Sequence, residues 1–251
     1  MMQNGSNGTF PFHPDDAATN HSSTKEDSST MAELADGFQR LVAELKMKYE
    51  VQDILLPSST LVFILESPHV QELEFGAPVS GTSGMTMTRH LFGPDYARFA
   101  LGRLVKKNAD EGKNRPRLNR IGLINVSNIP LQASAYQNKE LIQQHKRWFD
   151  AMAIVRSENH RDTYPNPYCQ AVQSVLVASL REKLRCLRED HLTIVPCGRF
   201  AQKFFRLTGQ DCPNWSVINE VPHPSYNSWD RPRYRDAVDA VCAALNNGSD
   251  V

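Results

Sequence analysis

The chain has 251 residues, of which 40% are hydrophobic, and 28 acidic side chains balance 28 basic ones. This composition supports a substantial core, and the lack of any apolar run near 20 residues excludes a membrane span. Five spread cysteines without a Cys-x-x-Cys pair exclude a disulfide framework and the usual metal patterns, so we expect a cytoplasmic protein (nucleoid-associated if bacterial) without metal or cofactor.

The first 30 residues differ in composition from the rest of the chain. They are rich in Asn, Ser, Thr, Gly and Asp, which predicts a disordered tail over 1–30 and a single domain over 31–251. The tail holds four acidic residues and one lysine, which leaves 27 basic against 24 acidic residues in the domain. This small positive excess is compatible with a nucleic-acid partner but does not identify one.

Helical and apolar segments alternate from residue 31 onward. Leu34, Phe38, Leu41 and Leu45 recur at three- and four-residue spacing, which predicts a first helix. Apolar runs predict strands at 60–65, 121–126, 192–196 and 216–221, and helices are predicted near 84, at 96–106, 139–155 and 171–187, from 198, and at 234–245. Because these strands are apolar throughout, we expect an α/β fold, namely a three-layer αβα sandwich around a mostly parallel four-stranded sheet, with an insertion around 130–190.

Three polar residues stand where predicted strands end. Glu66 follows the first strand, Asn125 ends the second, and His223 follows the fourth. Open α/β sheets bind ligands at the carboxyl ends of their strands, so we expect these residues to share a site. A carboxylate can act as a base or position water, an amide can read a nucleobase edge, and an imidazole can donate to a leaving group. Each residue could instead serve a turn, and Asn128 is an equal candidate for reading a base.

Five short motifs follow one another between residues 61 and 235. They are Leu-Glu-Ser-Pro-His at 65–69, Gly-Ala-Pro-Val-Ser-Gly-Thr-Ser-Gly at 76–84, Asn125, Cys-Gly-Arg-Phe-Ala at 197–201, and His-Pro-Ser at 223–225. In content and order they resemble the uracil-DNA glycosylase superfamily, most nearly its family 4 branch. That branch has Gly-Glu-Ala-Pro-Gly, Gly-Arg-Pro-Phe-Val-Gly-x-Ser-Gly, a strand-end Asn, Leu-Gly-x-x-Ala and His-Pro-Ser.

The resemblance implies a monofunctional and monomeric DNA glycosylase, which flips a base out of DNA and hydrolyses its N-glycosidic bond. His223 would donate to the base carbonyl, Glu66 would steer water at the sugar, and Asn125 would hydrogen-bond the flipped base. The base would also contact residues of the first two motifs, namely Ser67, Pro68, His69 and Val79. DNA contacts would come from Ser83, Gly84, Ser225, Tyr226, Trp229, Arg231 and Arg233.

Two further features bear on DNA binding. Residues 98–120 hold eight basic side chains against Asp110 and Glu111, which is typical of a solvated face or of a phosphate-binding strip. An aromatic side chain after the His-Pro-Ser motif could fill the gap left by a flipped base, although Trp229 could equally be a packed loop residue.

The chain departs from family 4 at positions that bear on the substrate. Val79 replaces the Phe that stacks on uracil, His69 replaces a Gly, and the iron–sulfur cysteines have no counterparts. Val79, His69 and the long segment from Asn128 to Asp190 favour a modified pyrimidine, such as a bulky modified cytosine in phage defence, beside a uracil-like base. Two other functions stay open: a non-catalytic relative that senses modified or damaged bases, and a nucleoside or nucleotide N-glycosidase.

Overall fold

Four short strands, built mostly from apolar residues, form the centre of the molecule. The computed structural model describes residues 23–188 and 191–247. Its strands are β1 (Leu61–Leu65), β2 (Ile121–Asn125), β3 (Leu192–Pro196) and β4 (Trp215–Val217). They pair in parallel in the order β2-β1-β3-β4. Both β1 and β2 are buried along their whole length, which explains why neither shows a polar–apolar alternation.

Helices cover the sheet on both sides. Those in the described residues are α1 (Ser23–Tyr49), α2 (Val70–Phe75), α3 (Thr82–Phe92), α4 (Leu101–Asp110), α5 (Pro116–Asn119), α6 (Lys139–Gln144), α7 (Lys146–Ser157), α8 (Pro167–Arg185), α9 (Gly198–Leu207) and α10 (Arg235–Asn246). Short 3-10 turns lie at Pro94–Tyr96, Ala133–Ala135, Ser225–Asp230 and Pro232–Tyr234.

The sheet separates two apolar cores. On one face, Val62, Ile64 and Ile194 belong to a core with side chains of α1, α7, α8 and α9. On the other face, Phe63 and Leu123 belong to a core with side chains of α3, α4 and α10. Successive residues of a strand point to opposite faces, so β1, β2 and β3 each contribute to both cores, whereas β4 contributes Trp215 to the first core alone. The result is an α/β protein with three layers, which confirms the predicted class.

Several element boundaries differ from those predicted. The fourth strand ends at Val217 rather than at 221, and Glu220 beyond it has a φ of 61°, which is incompatible with an extended strand. The predicted helix over 139–155 is divided into α6 and α7 at His145, whose φ and ψ are −108° and 27°. Helix α1 begins at Ser23, within the segment predicted as a tail, and residues 1–22 of that tail lie outside the described residues.

The segment around 130–190, predicted as an insertion, forms a layer of the sandwich. Phe149 and Met152 of α7 and Leu180 and Leu184 of α8 are buried in the same core as Val62. This segment therefore builds the domain itself. No helix in the described part of the chain is both long and apolar enough to cross a membrane.

Candidate active site

A cleft of about 1080 Å³ opens at the carboxyl edge of the sheet. Leu65 and Asn125, at the ends of β1 and β2, line it together with Cys197, which follows β3. Glu66 and His223 line it as well. The three polar residues predicted at strand ends thus lie in one cleft.

Glu66 forms an ion pair that the sequence did not reveal. Nε of Arg156, on α7, donates to Oε1 of Glu66 at 2.5 Å. The Glu66 side chain is 17% exposed and the Arg156 side chain 37%. The guanidinium balances the carboxylate charge and restricts its orientation, so the cleft contains a positioned carboxylate with a cationic neighbour.

The side chain of Asn125 is fully buried, and neither Nδ2 nor Oδ1 has a hydrogen-bond partner. The hydroxyl of Ser67, also in the cleft, is buried and unpartnered as well. Buried polar groups are nearly always bonded, and each unsatisfied group costs roughly 1–3 kcal/mol. These unpartnered atoms in the wall of a cleft are suited to bond the polar edge of a ligand.

The backbone of Asn125, in contrast, is bonded on both sides. Its N–H donates to Oδ1 of Asp53 at 2.9 Å, and its carbonyl accepts from Nζ of Lys183 at 2.6 Å. Asn128 belongs to the same network, since it accepts from Lys183 at 2.6 Å and donates to Asp53 at 2.9 Å and to the Val51 carbonyl at 2.8 Å. The carboxamide of Asn128 is already hydrogen-bonded within the protein, so Asn125 is the better candidate for recognising a base.

The imidazole of His223 is held by Ser225. The Ser225 N–H donates to Nδ1 at 3.2 Å, and the Ser225 hydroxyl lies 2.9 Å from the same nitrogen. Because an amide N–H can only donate, Nδ1 is an acceptor and the neutral ring carries its proton on Nε2. Burial lowers the pKa of His223, with Glu66 opposing this and Arg156 adding to it, so the ring is neutral near pH 7.

Gly198 brings the end of β3 against the His-Pro-Ser motif. Its φ is +86°, and a Cβ there would lie 2.7 Å from Cβ of His223. The Gly198 N–H donates to the Val221 carbonyl at 2.9 Å. Glycine is therefore required here both by the left-handed backbone and by the close approach of His223.

A second carboxylate in the cleft was missed by the sequence analysis. Glu72 accepts from the His69 N–H at 2.8 Å and from the Val79 N–H at 2.6 Å, which ties the first motif to the second. Burial raises the pKa of Glu72 to about 7 despite these two hydrogen bonds, and Glu66 raises it further. The only local signal was its position three residues after His69, where a Glu caps a helix start. Val79 itself has a φ of 45°, which is strained for a β-branched residue.

The residues predicted to contact the base are not all in the cleft. Ser67, His69 and Val79 line it, whereas Pro68 is buried and lies outside its lining. Val79 is 5% exposed, and its side chain also belongs to the apolar core beside α3 and α4.

Five of the seven residues predicted to contact DNA line the cleft, namely Ser83, Ser225, Tyr226, Arg231 and Arg233. Gly84 is buried in α3, and a Cβ there would lie 1.8 Å from the Val79 carbonyl oxygen, so this glycine serves packing. Trp229 is 2% exposed in the core beside α10, where Nε1 donates to the Pro222 carbonyl at 2.9 Å. Its large ring fills the interior, while Tyr226 is 89% exposed.

Positive charge reaches the cleft from positions other than the basic run at 98–120. All eight basic residues of that run lie in the described part of the chain, and none lines the cleft. Four of them pair with Asp110 or Glu111, and two bond to α10. The cleft is instead lined by arginines from other elements, namely Arg156, Arg199, Arg231 and Arg233.

The amino ends of α3 and α9 also open into the cleft through Thr82, Ser83 and Gly198. Helix amino ends carry partial positive charge and attract anions, which suits a phosphate-bearing ligand.

Cys197 is 1% exposed, and burial raises the pKa of its thiol, so it is a poor nucleophile. Within residues 23–188 and 191–247, no cluster of His, Cys, Asp and Glu is arranged to hold a metal ion.

No protein-family model matches the chain, and no curated protein matches it significantly. The class that the structure defines is thus an α/β protein whose parallel sheet carries a polar, arginine-lined cleft at its carboxyl edge.

Proposed function

We propose that the protein is a monofunctional DNA glycosylase with the fold of the uracil-DNA glycosylase superfamily. The observation that carries the proposal is the convergence of three groups on one cleft: the Glu66 carboxylate, the unpartnered Asn125 carboxamide, and the Nε2–H of neutral His223. Glu66 directly follows β1, Asn125 ends β2, and His223 lies in the loop beyond β4, in the order in which the superfamily places its motifs.

The base side of the reaction needs recognition and a donor to the leaving group. The Asn125 carboxamide offers one acceptor and two donor hydrogens, which matches the alternating carbonyl and N–H groups of a pyrimidine edge. As the glycosidic bond breaks, its electron pair leaves with the base and negative charge develops on the base carbonyl. The Nε2–H of His223 stabilises this charge by hydrogen bonding, without transferring its proton.

The sugar side needs a nucleophile and a stabiliser of positive charge. Water adds to C1′ as the bond to the base breaks, through a transition state in which the sugar resembles an oxocarbenium ion. Glu66 orients the water and receives its proton, while its negative charge favours the cation. Arg156 holds Glu66 in place but weakens this electrostatic effect, which makes the ion pair a point of control for the rate.

Contacts to the DNA backbone are supported by the charge around the cleft. Arg199, Arg231 and Arg233 line the cleft and would bind phosphates, together with the amino end of α3. Tyr226 lies three residues after His223, exposed and with a φ of 54°. An aromatic ring in that position can stack in the duplex where the target base has left.

The target base is proposed to be a uracil-like or modified pyrimidine, for example cytosine with a bulky group at position 5. Val79 lacks the ring that would stack on plain uracil and is mostly covered. The cleft of about 1080 Å³ slightly exceeds the usual range of small-molecule sites and leaves room for such a group. Excision of bulky modified bases would serve defence against phages with modified DNA, whereas excision of uracil would serve repair.

The test is base release from single- and double-stranded DNA carrying uracil, deaminated purines or modified cytosines, with the free nucleosides assayed in parallel. We expect release from one class of modified pyrimidine in DNA, and a loss of roughly 100-fold or more in Glu66→Gln. Glu74→Gln is the matched control, because Glu74 is an exposed carboxylate on α2 outside the cleft lining. Release of uracil alone would reject the bulky base, and release from nucleosides alone would reject DNA as substrate.

A base-sensing protein without catalysis is the second candidate, and the Glu66–Arg156 ion pair favours it because the pair neutralises the proposed water-steering carboxylate. Such a protein would bind modified DNA without releasing a base. In that case Glu66→Gln would bind as tightly as the wild type.

A further inference from the structure

The outer edge of β2 is closed by charged side chains at the level of Asn125. Two residues earlier, Leu123 exchanges two backbone hydrogen bonds of 2.8 Å with Ile54, which acts as a one-residue partner at this edge. The backbone groups of Asn125 point to the same side, because alternate residues of a strand share a direction. At that level Asp53 and Lys183 supply the partners that a neighbouring strand would otherwise provide.

Lys183 has three oxygen partners in this arrangement. Its ammonium donates to the Asn125 carbonyl and to Oδ1 of Asn128, both at 2.6 Å, and forms an ion pair with Oδ2 of Asp53 at 2.8 Å. The side chains of Lys183 and Asp53 are only 17% and 19% exposed. A mostly buried ion pair that is also hydrogen-bonded to its neighbours is rigid, because moving either partner would leave a poorly solvated charge.

The contrast between the backbone and the side chain of Asn125 is the key observation. Both backbone polar groups are bonded to charged residues, while both side-chain polar atoms are buried and unpartnered. No hydrogen bond within the described protein holds the carboxamide, so its position depends on the backbone from which it projects. A change in the φ and ψ angles of Asn125 would therefore move its Nδ2 and Oδ1 directly.

We propose that Asp53 and Lys183 are positioning residues, which hold the backbone of Asn125 so that its carboxamide meets the flipped base. This inference rests on the function proposed above. It assigns a role to Lys183, on α8, and to Asp53, in the linker between α1 and β1.

The experiment is a double-mutant cycle on base release with Lys183→Met and Asn125→Ala. Alone, Lys183→Met should lower kcat on the order of tenfold, as expected for a displaced recognition group, with KM for DNA changed less than about twofold. In the Asn125→Ala background the same change should have no further effect, because the group that Lys183 positions is gone. Lys183→Arg, which keeps the charge and several donors, should restore part of the rate.

Two further variants distinguish a loss of positioning at Asn125 from a general loss of stability. Arg181 lies on the same helix as Lys183 and donates to the carbonyls of Leu207 and Thr208. Arg181→Met should therefore lower stability without altering kcat. Asp53→Asn is the milder probe if Lys183→Met does not fold, since it keeps an oxygen for the Asn125 N–H but loses the ion pair. Hydrogen exchange should then be faster at the Asn125 amide, in step with a lower kcat.

The outcomes are distinguishable. If wild-type protein releases no base from any substrate, the proposed function fails and the positioning role fails with it. If wild-type protein is active but the effects of Lys183→Met and Asn125→Ala multiply independently, only the positioning role is overturned. Faster hydrogen exchange with unchanged kcat in Asp53→Asn would also overturn it.

Discussion

Replacing Asn125 by Leu should stabilise the protein and abolish the proposed base recognition at the same time. The wild-type carboxamide is 0% exposed, and neither of its polar atoms is bonded. A buried polar group without a partner costs roughly 1–3 kcal/mol, and Leu has the same branching without polar atoms. We therefore expect the free energy of unfolding to rise by about 1–3 kcal/mol, which corresponds to roughly 2–4 °C in Tm for each kcal/mol in a domain of this size.

The assay is urea and thermal unfolding of the wild type, Asn125→Leu and Asn125→Asp, with base release measured on the same preparations. Asn125→Asp is the matched control, because it keeps the shape and places a carboxylate where no partner exists, so it should be less stable than wild type. A decrease in stability of more than about 1 kcal/mol in Asn125→Leu would refute the reasoning, since it would show that the carboxamide forms stabilising bonds within the protein itself.

Three further outcomes follow from the cleft. Gly198→Ala should lose about 1–3 kcal/mol of stability and displace His223, because Ala is strained at a φ of +86° and its Cβ would contact the histidine. Thermal unfolding and base release measure the two effects, and unchanged values of both would contradict the observed packing. The pKa of Glu72 is raised from 4.5 to about 7, so its protonated form adds stability that is complete below pH 4.5 and lost as pH rises through about 7. Urea unfolding across that window should show a fall of about 3 kcal/mol in wild type relative to Glu72→Gln, and equal pH profiles would refute it. Arg156→Gln should raise the pKa of His223 in an NMR titration, because the nearby guanidinium lowers it, whereas the exposed Arg147→Gln should leave it unchanged.

The α/β fold could be predicted from the sequence because its strands are built mostly from apolar residues. The runs that become β1, β2 and β3 stand out against the polar segments around them, and residues 192–196 were predicted with the observed boundaries. The fourth strand was predicted too long, because the left-handed backbone at Glu220 leaves no mark in a local pattern of hydrophobicity.

The residues of the candidate site could be predicted from the sequence only in part. Glu66 and Asn125 could be found because a polar residue at the end of an apolar run is a local signal. Arg156 and Lys183 could not, since each lies on a helix more than fifty residues away in the chain from its partner in the cleft. Trp229 shows the opposite problem, because only the packing against α10 reveals that an aromatic residue in a loop belongs to the core.

The contact between Gly198 and His223 has a consequence for how this protein can vary. A side chain at 198 would need His223 to move, and a different path at 223 would remove the reason for a glycine at 198. The two positions are 25 residues apart in the numbering but constrain each other directly. In related chains we expect them to change together or not at all, so a substitution at one position alone would indicate a protein in which His223 no longer has its proposed role.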